Sequence, residues 1–212
     1  MTVVTAVRRA VLTGYNQVVA NINESNAEKL ETNYFETTYH SGARPTHQPW
    51  QGRVYSKEEL VSICGLGTVI GLCGANCYHN YYPFIKGVSE RTYTDEELDR
   101  MNQEDNEKRE FRGKSYTKYE ALQRQRKLET IMRAERQEIK LLTEGGAGDD
   151  DIMSANARYN KTSDEYARLS KAMNLPQQRQ RINIDGLGNI GAKLDKSSKV
   201  VKSNGTKTIE NG

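Results

Sequence analysis

The chain has 212 residues, of which 35% are apolar and 28% charged, with a formal net charge of +3. So polar a composition excludes a single core that uses every residue, because polar stretches bury too little apolar surface to offset the entropy of ordering them. No run approaches the eighteen or so apolar residues of a membrane span, and the charge implies nucleic-acid binding only if Lys and Arg gather on one face.

The N-terminal segment sets Arg8 and Arg9 inside an apolar pattern and lacks the ordered regions of a signal peptide, which predicts a soluble protein made in the cytosol. From about Thr2 to Leu30 the pattern Val4, Val7, Val11, Tyr15, Val18, Ile22 predicts an amphipathic helix, weakened slightly at Gly14. Such a stripe must bury itself on the domain that follows or on a partner chain, so oligomerisation through this helix is one expectation. TNYFETTYHS alternates as a strand does, and RVYS is a candidate second strand. Between them Gly42, Pro45, Pro49 and Gly52 break any regular element.

Ser56 with Glu59 three residues later is a capping-box pattern opening a short helix over Lys57 to Ile63. CGLGTVIGLCGAN is glycine-rich and apolar and predicts a buried turn-strand-turn; the aromatic run that follows ends at Gly87. Thr94 and the acidic residues after it open another helix. From Thr117 to Thr143, Leu122, Leu128, Met132, Ile139 and Leu142 lie among dense charge, which predicts a long solvated helix. The glycine-rich break at Gly145 precedes a last helix from about Ile152 to Asn174, stopped by Pro176. Within the remainder INIDGLGNIGAKL is a weak candidate for a strand or hairpin. The expectation is an α+β protein: a small turn-rich core domain with its N-terminal helix (1–93), helical arms (94–175) and a polar, flexible tail (176–212).

All three histidines and all three cysteines fall between His40 and His79, so metal-ligating and nucleophilic chemistry is confined to one window. An odd cysteine count in an unsecreted chain argues against a disulfide framework. His40, His47, Cys77 and His79, with Cys73 as a fifth candidate, are the groups that can ligate zinc, which takes four N/S ligands tetrahedrally. Their spacings do not repeat a zinc-knuckle pattern, and the alternative is small buried cysteines, Cys64 above all, with hydrogen-bonded histidines in a turn-rich core. Two further readings stay open: Cys77 with His47 or His79 as thiolate and base, and Arg44, Arg53 and Lys57 as a phosphate patch with Trp50 and Tyr55 as stacking platforms. GLGTVIG is not a dinucleotide fingerprint, since its third glycine is out of place and no long helix follows.

The segments YHSGARPTHQPWQGRVYS and LCGANCYHNYYPFIKGVSER resemble the hallmark blocks of the phage minor capsid protein 2 family. The similarity runs from about residue 4 to about 95 and continues more weakly to about 190. A more distant similarity, to Mu-type head morphogenesis proteins, falls on Arg44, His47, Gly52, Asn76 and Cys77, with His79 where those relatives place a second cysteine. A Cys-to-His exchange is one a zinc site tolerates. The resemblance implies a virion component made in the bacterial host cytoplasm. It would act in head assembly, portal association or DNA packaging and delivery, with portal or capsid proteins and DNA as partners. It also implies that Arg44, Trp50, Gly52, Asn76, Tyr82 and Pro83 form the structural motif around the His/Cys cluster. Family members usually carry a further helical region before the first helix here, so the chain is expected to be a fragment, a short variant or one domain of a split protein. The competing expectation is a metal-dependent hydrolase or nuclease, or a toxin-like effector. It needs a general base near the metal, and Glu36, Glu58 and Glu59 are the nearby acidic candidates.

Overall fold

A computed structural model describes residues 3–183, which form an α+β fold in two compact units. The first unit runs to Glu107 and takes in Thr117–Tyr119; the second holds Lys108–Tyr116 and the residues from Glu120 onward.

The first unit opens with α1 (Val3–Lys29). It ends in a left-handed cap: Glu31 has φ 54° and the Thr32 amide reaches back to the Ala27 carbonyl at 3.0 Å. β1 (Tyr34–Thr37), β2 (Val54–Ser56) and β3 (Tyr81–Phe84) form an antiparallel sheet in the order β2-β1-β3, with Phe35 opposite both Tyr55 and Pro83. Pro83 lacks an amide hydrogen and is tolerated because β3 is an edge strand. α2 (Lys57–Ser62) starts at the predicted capping box, with the Ser56 and Glu59 side chains each bonding the other's backbone amide. α3 (Asp95–Asn106) has the same device at Thr94 and Glu97. Ala27, Phe35, Trp50, Leu60, Cys64, Leu72 and Tyr81 make the core, with Phe35 and Tyr81 edge to face at 5.3 Å.

Two expectations need correction here, and one left open is narrowed. The apolar stripe of α1, expected to bury itself on the domain that follows or on a partner chain, does not enter this core. Ala27 and Asn23 do, and Asn23 donates to the Tyr81 carbonyl at 2.7 Å. No strand forms between Cys64 and Asn76; the segment is a series of turns with Cys64 and Leu72 buried but Val69 and Ile70 exposed. Gly71 and Gly74 serve close chain approach, since a Cβ on Gly71 would collide with the Gly65 carbonyl and one on Gly74 with that of Val69. Finally, α3 lies within the first unit rather than among helical arms beginning at residue 94.

In the second unit β4 (Arg109–Phe111) and β5 (Lys114–Tyr116) form a hairpin that the sequence reading omits. Its two-residue turn has positive φ at both Arg112 and Gly113, as a type I′ turn requires. α4 (Lys118–Glu144) begins in the first unit and continues into the second, where it pairs antiparallel with α5 (Asp149–Ala172). The direction follows from Gln125 bonding Ser170 at one end and Arg158 bonding Glu138 toward the other. α4 is not a solvated arm: Ala121, Leu128, Met132 and Ile139 recur on one buried face against Tyr159, Tyr166 and Leu169. The polar tail is also shorter than expected. Leu175 and Ile182 are buried, a 3-10 turn spans Arg179–Arg181, and the Gln178 amide donates to the Tyr166 hydroxyl. Apart from Ile182 and Asn183, the candidate strand INIDGLGNIGAKL lies outside the described residues.

Candidate metal centre

Two irregular segments, 39–52 and 64–80, carry the site, and α3 holds the first of them in place. Tight turns wind through the first segment, with the Ala43 amide on the His40 carbonyl, the His47 amide on that of Arg44, and the Gln51 amide on that of His47. Asp105 of α3, almost fully buried, accepts from the Tyr39 hydroxyl (3.1 Å), the Ser41 hydroxyl (2.7 Å) and the Gly42 amide (2.6 Å), and pairs with Lys118 at 3.1 Å. A turn earlier on the same face, Asn102 accepts from the Gln51 side-chain amide at 2.8 Å and donates to the Gln48 backbone carbonyl. Gln48 and Asn106 exchange side-chain amide bonds at 3.2 and 2.8 Å. Gly52 has φ 72° and Leu98 fills the space a Cβ would need, so glycine is required on both counts. Arg44 clasps the second segment by donating to the carbonyls of Ala75 (3.0 Å) and Ile70 (3.5 Å).

This scaffold brings His47, Cys77 and His79 together, all buried, with one ligand atom from each lying within 4.8 Å of the others. The two Nδ1 atoms are 3.3 Å apart, and the Cys77 sulfur is 3.5 Å from Nδ1 of His79 and 3.8 Å from Nδ1 of His47. With Zn–N near 2.0–2.1 Å and Zn–S near 2.3 Å, a zinc tetrahedron has edges of roughly 3.3 Å between nitrogens and roughly 3.6 Å between nitrogen and sulfur. The triangle fits one face of it.

Hydrogen bonding on the far side of each ring fixes the tautomers. Nε2 of His47 faces the Ile70 carbonyl at 2.8 Å, and Nε2 of His79 faces the Gln51 side-chain oxygen at 3.0 Å. That oxygen is identified by the His40 backbone amide, an obligate donor, which it also accepts. Both Nε2 atoms therefore carry the hydrogen, and both Nδ1 lone pairs face each other and the thiol. Carbonyl oxygens bonded to the far ring nitrogen orient metal-bound imidazoles in this way. Burial further disfavours ring protonation: it lowers the pKa of His47 and takes His79 down to about 3. Burial also raises the Cys77 thiol, opposed by neighbouring backbone amides and Arg44. With one thiol hydrogen for two facing lone pairs, a cation satisfies the centre better than any hydrogen-bond pattern. The residues fit zinc.

The other expected residues fall around this triangle. His40 is not one of the converging groups: its ring bonds the Thr38 hydroxyl at 3.1 Å and meets His79 edge-on at 4.9 Å. Cys73 turns its sulfur to the His79 carbonyl at 3.5 Å, and burial raises its thiol to about 12. Trp50 packs against His47 and His79 with centroids 4.6 and 4.8 Å away. Asn76 contributes a left-handed backbone conformation (φ 56°) and an exposed side chain. Tyr82 is exposed on β3 beside Pro83. The sequence reading misses Gln51, Asp105, Asn102 and Asn106. Their signal was the run of short polar residues at positions 102, 105 and 106, on the same face of α3 as Leu98.

The first unit is a turn-tied α+β module whose candidate ligands are buried. Residues 1–169 match the family model described as phage minor capsid protein 2, and the chain belongs to that family. Neither the curated proteins nor the solved structures compared with the chain contain a match. Among the described residues no helix is long and apolar enough to cross a membrane.

Proposed function

We propose that the protein is a low-copy structural component of the phage head. It acts in head assembly through portal or capsid proteins, and its N-terminal unit is locked by zinc on His47, Cys77 and His79. The head role rests on the family match over residues 1–169, and the observation that carries the zinc lock is the pair of facing Nδ1 lone pairs beside a thiol, each ring held from behind by a carbonyl oxygen. The role of the metal is structural. It joins segment 39–52 to segment 64–80, neither of which forms helix or strand across the ligand positions. His40 or Cys73 would complete the tetrahedron only by leaving its present partner.

The hydrolase reading finds less support. A metal-activated water needs a nearby general base, and among the described residues no carboxylate joins the group. Asp105 is committed to four donors elsewhere.

Elemental analysis of purified protein should give about one zinc per chain, and a protein free of bound metal after refolding with zinc would defeat the lock. H47A and C77S should lose zinc and destabilise the first unit. An intact fold with lost turnover would favour the enzyme instead. For the assembly role, the protein expressed with portal should co-purify with the portal ring, and its recovery only as free protein from both virions and portal-expressing cells would overturn the role.

A further inference from the structure

Charge is divided unequally between the two units. Of the chain's 31 Lys and Arg, 21 lie in the second unit, against 14 of its 28 Asp and Glu, so that unit carries +7 and the first −4. In the first unit Arg53 pairs with Asp95 and Asp99, and Lys57 with Glu24, which neutralises two of the three residues of the expected phosphate patch. In the second, no acidic residue stands between Glu165 and Asp185, a stretch that holds Arg168, Lys171, Arg179 and Arg181. We infer that this excess forms a face, centred on Arg133, Arg179 and Arg181, that binds the phosphate backbone of nucleic acid.

The path of the chain after α5 builds the face. Gln125 of α4 donates to the Pro176 carbonyl at 3.1 Å, and Arg133, eight residues on, donates to the Arg181 carbonyl at 3.1 Å. Segment 176–181 therefore runs beside α4 for about 12 Å. On its other side Arg179 donates to the Ser163 hydroxyl of α5 at 2.9 Å and lies over the Tyr166 ring. Neutral oxygens orient both guanidinium groups, since Arg133 also bonds the Thr130 hydroxyl and Arg179 the Gln177 side chain. Such partners position the charge without cancelling it, and each guanidinium, with five N–H donors, keeps others for a ligand. Arg124, two and a half turns of α4 before Arg133 and so on its opposite side, is by contrast paired with Glu165. Glu129 is buried against the Tyr166 hydroxyl rather than facing solvent.

The chemistry of the face selects the partner. A protein interface centres on apolar and aromatic groups and is poor in lysine. Here Leu175 and Ile182 are buried, Lys171, Gln177 and Gln180 are exposed, and Arg133, Arg179 and Arg181 are half-buried. Planar guanidinium forks match phosphate oxygens in pairs, and glutamine amides add contacts to phosphate and sugar. A surface this polar and this basic fits nucleic acid.

Fluorescence anisotropy of the full chain with a short DNA duplex of mixed sequence tests the inference, with far-UV circular dichroism and zinc content confirming that each variant folds. In the wild type log K should fall with log salt at a slope of about −3 or steeper. K171E/R181E alters two side chains and leaves the Arg133 and Arg179 hydrogen bonds in place. It should weaken binding by about tenfold or more and flatten the slope by about 2. R133Q/R179Q removes the central charges and should act in the same direction. K86E/R100E makes the same change in net charge on exposed residues of the first unit and should bind as the wild type does. Equal losses in K86E/R100E and K171E/R181E would overturn the face, as would a wild type that leaves the duplex unbound at low salt. Displacement of the duplex by polyglutamate at matched charge would reassign the face to an acidic protein.

Discussion

The two units are stabilised by different means. In the second, Ala121, Leu128, Met132 and Ile139 of α4 face Tyr159, Tyr166 and Leu169 of α5, and the unit is held by a periodic apolar contact. In the first, the sheet strands have three or four residues, and the long segments between them are held by named polar atoms. Asp105 ties the 39–42 turn, Arg44 ties the 70–75 turn, and the His/Cys triangle joins the two segments. Apolar periodicity tolerates substitution in proportion to the volume lost. A knot of buried polar groups tolerates very little, because each broken bond leaves a desolvated partner behind.

Metal removal should separate the units most sharply. Chelation, or C77S, is expected to lower the melting temperature of the first unit by more than about 10 °C while leaving the helical signal of the second. Calorimetry resolves the two transitions, and a parallel loss in both would mean that the units are not independent. In the second unit M132A should cost about 2–5 kcal/mol through the cavity it leaves, with zinc content unchanged. D105N should cost the first unit about 1–3 kcal/mol, since the turn donors and Lys118 lose a charged acceptor. Denaturant titration followed by Trp50 fluorescence checks it, and a neutral result would show that the α3 clasp is dispensable.

Acid should move the metal-free units in opposite directions. The His79 pKa is depressed in the folded state, so its contribution is complete above its ordinary value near 6.5 and is lost as pH falls toward about 3. Burial raises Glu135 in the second unit, so there the folded state binds protons more readily and gains stability as pH falls through that carboxyl's range. Hydrogen exchange measured at stepped pH reads both signs, and a common direction would contradict the assignment.

Local signals in the sequence translated well. Both capping boxes, the strands at TNYFET and RVYS, and the helix ends near Gly145 and Pro176 follow from short-range chemistry, which composition and spacing encode directly. The β4-β5 hairpin was missed because Arg112-Gly113 lacks the Asn-Gly or Asp-Gly signature, although it adopts the same backbone. The three members of the His/Cys cluster were legible as residue types, but the exclusion of His40 was not. It depends on Thr38 and on the orientation of Gln51, neither of which has a spacing rule. The face of α1 is the instructive case. Periodicity identified the stripe, yet only the anchoring of Asn23 and Ala27 decides that it points away from the core.

The Asp105 clasp carries a consequence for synthesis. Its acceptor oxygens meet donors more than sixty residues earlier, and its cation, Lys118, comes thirteen residues later. Loop closure over that separation is slow to nucleate. On the ribosome the 39–42 turn must therefore wait, its donors still facing water, until the start of α4 has left the exit tunnel. A nascent chain arrested at residue 93 should remain sensitive to protease, and one released past residue 119 should become resistant.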